Sequence, residues 1–396
     1  MSKYVRPVGH PIITERGSRH TATSSTVYAD YAPCYVNSGT AALQLAIQIA
    51  VRCAIEDDSN TSLKVPSEAE VIVPAYGCPD LITACVGAKV KPVLVDSCDP
   101  RSPFPGFKQI AEAISPKTVA VIAANFLGKS PELDKAQWQA LRTRGARHII
   151  EDRAQAFPFS SEEQSFFGDT VVASFGKGKP VSLLGGGMLL INRQYHHLCD
   201  FSQYNPRAVS TLERLKIEAK IAAYNLVITP AVYAQLLKVP GLNIGATSYK
   251  PPLPIVPLDQ ARLSWLPANA YRLENNFELR ALIERLLRIV SFNYKLSLIG
   301  SSQDELYEAR RMLRFPVLAE SKAHRDDLLK RFHKAGIGTS AMYGKALPDM
   351  ADVPLSDEVR KADFSNARSF ADRLFTLPCH EDVTDETVKA IEDVLA

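Results

Sequence analysis

The stretch SFGKGKPVSLLGGGMLL, Ser174 to Leu190, sets two lysines, Lys177 and Lys179, between a phenylalanine and three consecutive glycines. An amine on such a loop can bond covalently to a carbonyl compound if other groups hold that compound in place. Two other features supply such groups. Asp152 closes the apolar run HIIED, and NSGTAAL (37–43) puts small polar residues ahead of helical spacing, so a helix starts near Ser38 to Thr40. Backbone N–H groups at a helix start hold anions. In a doubly wound sheet the strand C-termini line the ligand crevice, so Asp152 leaves the core there, and Ser174 and Lys179 follow the next strand. An anion cradle, a carboxylate and a lysine on one cleft suit pyridoxal phosphate. The lysine forms a Schiff base with the aldehyde, and the aspartate keeps the pyridine nitrogen protonated so that the ring accepts electrons. Glycines 185 to 187 let the chain turn closely past the site into MLLIN. Each feature alone has a plainer reading: a solvated lysine, a carboxylate or SGT motif capping a helix, a glycine loop. Their order along one chain is what makes them count together.

The elements that position these residues alternate. AEVIVPAY, AKVKPVLVD, TVAVIAANF, ARHIIED and TVVASF are short apolar or β-branched runs between helical segments, the pattern of a parallel sheet covered on both faces. The fold class is α/β. After Arg193, LERLKIEAKIAAYNLVITPAVYAQLLKVPGL reads as apolar helices broken at Pro230 and Pro240, uncharged from Ile221 to Leu237. That run falls short of a membrane span and holds Asn225, Thr229 and Gln235, so it reads as a buried or subunit-facing helix pair rather than a membrane contact. YKPPLPIVPLD is an extended connection. ANAYRLENNFELRALIERLLRIVSF reads as one long amphipathic helix leading into a smaller α+β unit from about Arg311. The expected division is an N-terminal arm over 1–34, a large domain over 35–265 with an apolar helical insert at about 200–250, and a linking helix with a small C-terminal domain over 266–396.

Composition narrows the classes. The chain has 396 residues and a formal charge of +3, with basic and acidic residues interspersed, which gives no electrostatic argument for a nucleic-acid partner. Seven cysteines without a CxxC pair fit reduced thiols in a cytoplasmic protein, and the first twenty residues lack the apolar core of a signal peptide. No metal-ligand spacing stands out.

The pieces NSGTAAL (37–43), VIVPAYGCPDLITACVGAKVKPVLVD (71–96), IIEDRAQAF (149–157), SFGKGK (174–179), HKAGIGT (333–339) and LPCHEDVTDETVKAIEDVL (377–395) resemble the DegT/StrS aminotransferases. These are fold type I vitamin B6 enzymes, most of which place amino groups on nucleotide-linked sugars. The resemblance implies that Lys179 rather than Lys177 is the Schiff-base lysine, since it lies five residues after the serine of the S-F motif. It implies further that Asp152 pairs with the pyridine nitrogen, that Gln155 lies near the ring hydroxyl, and that Ser174 with the backbone at Gly39, Thr40 and Ala41 binds the phosphate. A homodimer is implied, with an amino-acid donor such as glutamate and a ketone acceptor such as a keto-sugar nucleotide.

Three departures bear on the acceptor. Cys78 stands where the family stacks an aromatic residue on the cofactor ring, so that Tyr76, another group or the sulfur itself must cover that face. Arg153 stands where the family has a small residue, offering a charge for a substrate carboxylate or phosphate or for a salt bridge. Near PLDQARL the usual partner-subunit asparagine of the phosphate site has no clear counterpart. The alternatives to sugar transamination are therefore transamination of a non-sugar ketone and a silent cofactor-binding scaffold. Dehydrating relatives carry histidine at the lysine position, and Lys179 argues against that branch.

Overall fold

The computed structural model describes residues 4–14, 29–56, 68–159, 166–236, 239, 247–275, 277–291, 293, 295–299 and 312–396. Seven strands form the large sheet in the order β1-β7-β6-β5-β4-β2-β3. They are β1 (Tyr31–Val36), β2 (Glu70–Pro74), β3 (Lys91–Val95), β4 (Thr118–Ala124), β5 (His148–Asp152), β6 (Thr170–Ser174) and β7 (Gly187–Asn192). Strands β2 to β6 pair in parallel, whereas β7 runs antiparallel between β6 and β1. Because β1 is antiparallel to β7, it points the same way as the parallel set. The C-termini of β1, β2, β4, β5 and β6 therefore open on one edge of the sheet, where the following loops meet.

Period-two alternation divides the strand residues between two cores. Val71, Val73, Ile150 and Val172 pack against the long helix α1 (Gly39–Glu56) and against α2 (Asp80–Ala88). Ile72, Val121 and Ile149 face Trp138 and Leu141 of the opposite layer, on α4 (Lys135–Thr143), which follows the short α3 (Phe107–Ala113). The helix α1 buries residues all round its circumference, which accounts for its near-continuous apolar sequence.

Beyond β7 come α5 (Thr211–Val227) and α6 (Pro230–Leu236), separated at Pro230 as the sequence indicates. The expected break at Pro240 and the expected start of the small unit at Arg311 lie outside the described residues. The single helix expected over 268–292 is two: α7 (Gln260–Glu274) and α8 (Phe277–Ser291). Asn275 ends the first, its side-chain Nδ2 donating to the Tyr271 carbonyl (2.8 Å) and so capping the last turn. The small domain holds β8 (Leu296–Ser297), β9 (Phe315–Ala319) and β10 (Leu374–Leu377), ordered β10-β9-β8 and antiparallel. Its helices are α9 (Lys322–Lys334), α10 (Asp357–Lys361), α11 (Ser365–Arg373) and α12 (Asp385–Leu395). Asp96, just beyond β3, receives the N–H groups of Asn366 and Ala367 at the start of α11 (3.1 and 2.8 Å), tying the small domain to the large sheet.

Residues 4–14 form a strap over both domains. Asn225 and Asn269 each exchange two hydrogen bonds with the strap backbone, at Ile12 and Ile13 respectively, as a neighbouring strand would. Arg6, almost wholly buried, pairs with Glu381 and Asp382 near the other end of the chain and donates to the Ile228 carbonyl (3.1 Å).

One buried group makes the sheet sensitive to acid. His148 on β5 is fully buried, its Nδ1 has no hydrogen-bond partner among the described residues, and burial pushes its pKa down from 6.5 to about 4. An unfolded chain binds that proton at higher pH than the native one, so this contribution to stability is complete above pH 6.5 and is lost progressively as pH falls to about 4. The shift corresponds to roughly 3 kcal/mol. Urea unfolding at pH 7 and pH 5 should show a steeper loss for the wild type than for His148→Leu, and parallel losses would contradict this account.

Candidate active site

Asp152 is the last residue of β5 and lies on the α1 side of the sheet, in register with Ile150. Its Oδ1 accepts the Ala154 N–H (3.0 Å). Burial pushes its carboxyl pKa upward, and the charge of Lys179 opposes that shift. Lys179 is half-buried in the loop after β6, and its charge also acts on the Cys78 thiol, whereas Lys177 is exposed to solvent. The structure thus brings Lys179, not Lys177, to Asp152. Strand order is the reason, because β5 and β6 are neighbours and end on the same edge.

The end of β6, the start of α1 and the start of β7 converge closely. Ser174 is buried, and a Cβ on Gly39 would lie 2.5 Å from its Cβ and 2.7 Å from its Oγ. A Cβ on Gly187 would lie 2.3 Å from the Ser38 carbonyl oxygen. Only glycine fits at either place, so the first turn of α1 is held against the Ser174 hydroxyl. No acidic residue occupies that turn, which leaves its positive end open to an anion. Thr40 is in this turn, as expected. The Ala41 N–H, expected to join it in holding the phosphate, instead donates to Ser38 Oγ (3.0 Å), because Ser38 caps the helix.

The facing wall comes from the loops after β2 and β4 and from the small domain. Tyr76, Cys78, Asn125, Phe126, Asp152, Gln155 and Tyr343 line one cleft. Gln155 is buried and spans it: its Oε1 accepts the Leu127 N–H (2.9 Å) and its Nε2 donates to the Tyr343 hydroxyl (2.8 Å). The Cys78 thiol is pushed up to about 12, first by burial and then by Asp80, so it is neutral and protonated at physiological pH. Tyr76, a candidate to replace the missing aromatic, lines the cleft and packs edge-on against Phe126 (5.5 Å) and Phe370 (4.8 Å). A larger cavity, about 580 Å3 and lined by Arg288, Lys295, His324 and Arg331, belongs to the small domain and shares no residue with this cleft.

Sequence reasoning missed Tyr343, which follows the quoted HKAGIGT segment by four residues and reaches the cleft only because the small domain folds over it. Of the two roles open to Arg153, a substrate anion or a salt bridge, the structure shows the salt bridge. Its Nε donates to Glu151 Oε2 (2.8 Å), and its guanidinium lies over the rings of Phe166 (5.1 Å) and Phe159 (5.8 Å). Alternation along the strand end turns residue 153 to the side of Glu151, away from Asp152, so it stabilises a buried carboxylate and does not face the cleft.

A helix start for a phosphate, and a half-buried carboxylate and a half-buried amine that act on one another, fit pyridoxal phosphate chemically. On this sheet, with a small C-terminal domain closing the cleft, they define a fold type I transferase. The chain belongs to the DegT/DnrJ/EryC1/StrS aminotransferase family, whose model matches residues 28–199 and 272–396 and passes over the helical insert. It is 31% identical over 156 residues to dTDP-4-dehydro-2,3,6-trideoxy-D-glucose 4-aminotransferase of Saccharopolyspora spinosa, a match that takes in 39% of this chain and 36% of that relative. Among solved structures, the aminotransferase TlmJ of Streptoalloteichus hindustanus is 20% identical at a TM-score of 0.63, covering 92% of this chain and 84% of its own. NtdA of Bacillus subtilis, solved with bound cofactor PMP, is 18% identical at a TM-score of 0.65, covering 94% and 74%. At these identities the likeness to the solved structures is one of fold.

The close approach of Gly39 to Ser174 yields a direct test. Gly39→Ala adds a methyl group where Ser174 already stands, and an overpacked contact costs on the order of 1–3 kcal/mol. Binding of pyridoxal phosphate, followed by absorbance, should weaken by roughly tenfold or more while far-UV circular dichroism stays native. Unchanged binding would mean that the phosphate is held elsewhere.

Proposed function

We propose that this protein is a pyridoxal-phosphate-dependent aminotransferase that moves an amino group from an amino acid, glutamate, to a ketone on a nucleotide-linked sugar or a compound of similar shape. The observation that carries the reading is the shared reach of Lys179, whose charge acts on both Asp152 and Cys78 inside the cleft while Lys177 stays exposed. Bound in the cleft, the cofactor supplies an aldehyde for covalent capture of amines and a ring that accepts the electrons released at the donor's α-carbon. Ser174 and the first turn of α1 at Gly39 and Thr40 would hold its phosphate, and Gln155 would face its hydroxyl.

The protein's own groups divide the remaining work. Asp152 would pair with the protonated ring nitrogen, since a half-buried carboxylate whose pKa burial pushes upward keeps its charge best beside a positive one. Lys179 Nζ would take the proton from the donor's α-carbon and return it, as the half-buried amine whose charge reaches Asp152 and Cys78 in the cleft. Cys78, neutral and compact, leaves more room over the ring than an aromatic side chain, which favours an acceptor different in shape from the usual hexose nucleotide.

A homodimer accords with the exposed apolar residues Leu212, Leu215 and Leu226 on α5. A cytoplasmic location accords with seven free cysteines, and no described helix is long and apolar enough to cross a membrane.

Borohydride reduction followed by peptide mapping tests the lysine: the pyridoxyl label should fall on Lys179, and a label on Lys177 or on neither would defeat the assignment. Asp152→Asn keeps the shape and removes the charge, so it should retain bound cofactor yet slow the glutamate half-reaction by roughly 100-fold or more in stopped-flow absorbance. An undiminished rate would deny Asp152 its role.

A further inference from the structure

The helices α8, α9 and α12 of the small domain frame the cavity of about 580 Å3 that shares no residue with the catalytic cleft. Its walls are tied to one another. Arg285 of α8 pairs with Asp385 at the start of α12, and Asn293, just after α8, donates from Nδ2 to the Leu395 carbonyl at the end of α12 (2.8 Å). The Asn293 Oδ1 also accepts the Lys295 N–H (3.0 Å), which holds the turn into β8. On α9, His324, Leu328 and Arg331 recur at helical spacing, so one face of that helix lines the cavity. Core side chains make the floor: Leu328 and Leu395 belong to the small domain's apolar cluster, and Ile289 packs against it.

Three cations from three elements surround that floor, Arg288 on α8, Lys295 before β8 and Arg331 on α9. All three are exposed, so an anion reaches them without displacing packed side chains. Arg288 and Arg331 make no ion pair among the described residues, although Glu392 of α12 lines the same cavity. His324 adds a polar atom turned away from solvent, since its Nδ1 is buried and has no hydrogen-bond partner among the described residues.

These groups together suit a ligand of three parts. Two guanidiniums and an ammonium match the oxygens of a phosphate, which accepts hydrogen bonds from several directions at once. The apolar floor requires a nonpolar body, which inorganic phosphate lacks, and the volume lies within the range of about 300–1,000 Å3 that small organic ligands occupy. Glu392 repels an anion and accepts hydrogen bonds, so the part of the ligand beside it carries hydroxyl or amino donors, which a fatty acid does not have. A nucleoside phosphate has all three parts.

We propose that this cavity binds a nucleoside phosphate at a site separate from the catalytic cleft. Its phosphate meets Arg288, Lys295 and Arg331, its base lies on Ile289, Leu328 and Leu395, and its sugar hydroxyls or amino group reach Glu392. The ligand also supplies the partner that His324 Nδ1 lacks within the chain. The site does not depend on the aminotransferase reading.

Calorimetric titration of the cofactor-loaded protein with AMP, UMP, adenosine and inorganic phosphate tests it. At least one nucleotide should bind more tightly than either adenosine or phosphate. Its affinity should fall roughly 10-fold or more in Arg288→Ala and in Arg331→Ala, each of which removes a charge-assisted hydrogen bond, and further in the double variant. Arg331→Lys keeps the charge and should lie between wild type and Arg331→Ala. Added salt should weaken binding to the wild type more than to the double variant. The nucleotide should raise the Tm of the wild type and leave that of the double variant unmoved. All variants should keep the ligand-free Tm and the glutamate half-reaction of the wild type, because the substituted side chains are exposed and lie outside the cleft. A nucleotide bound equally by wild type and double variant is held in the catalytic cleft, and that result overturns the proposal. So does inorganic phosphate binding as tightly as the nucleotides, which leaves the apolar floor without a role, and so does a wild type that binds neither AMP nor UMP. A wild type without a glutamate half-reaction sinks the aminotransferase reading instead, and the titrations then decide this cavity on their own.

Discussion

A carboxylate at the end of a buried strand governs this molecule. Asp152 is half-buried at the cleft, and desolvation shifts it toward its neutral form unless a cation stands close. Lys179 supplies that cation because β6 lies beside β5 and ends on the same edge. The rest follows from keeping the two together. Parallel pairing from β2 to β6 brings the loop ends to one side, and reversal of β7 lets the glycines at its start pass behind the first turn of α1. Small-domain residues then close the remaining face through Tyr343 and Gln155. In each case a polar group that would be costly alone is placed where another needs it.

The cleft combines a charged side with a neutral one. Asp152 and Lys179 mark the first. On the second, the Cys78 thiol is kept protonated and the Tyr343 hydroxyl is raised well above its ordinary value by burial, so neither contributes a charge at neutral pH.

Much of the fold could be read from the sequence because its signals are local. Apolar runs of strand length between helical segments are visible in any window of a dozen residues, and Ser38 to Thr40, Asp152, Ser174 and Lys179 fall at the ends of such runs. What escaped depends on direction or on distance along the chain. Arg153 adjoins Asp152 in sequence, but one step along a strand reverses the side chain, and its partner Glu151 lies on the same far side. The strand β1 begins ahead of the expected domain boundary at residue 35, since YAPCYV has no strong alternation and is fixed by pairing with β7. The break between α7 and α8 turns on a single asparagine. Tyr343 meets the cleft through a domain whose placement is set by contacts such as that of Asp96 with α11, which no local pattern announces.

The strap of residues 4–14 has a consequence for the order in which the chain matures. Its Arg6 is paired with Asp382, 376 positions later, and its Ile12 and Ile13 wait on Asn225 and Asn269. On a ribosome the first residues emerge long before those partners exist, whereas β1 to β7 and α1 can associate once residue 192 has cleared the exit. The large sheet is therefore free to assemble during synthesis, and the strap closes only after Asp382 has been released. The loop that carries Lys179, which passes Val8 of the strap at Gly178, gains that neighbour in the same event. Nascent protein thus passes through an interval in which the sheet is formed and the loop of Lys179 is still open on one side, and the emergence of Asp382, not the completion of the sheet, allows the strap to close over it.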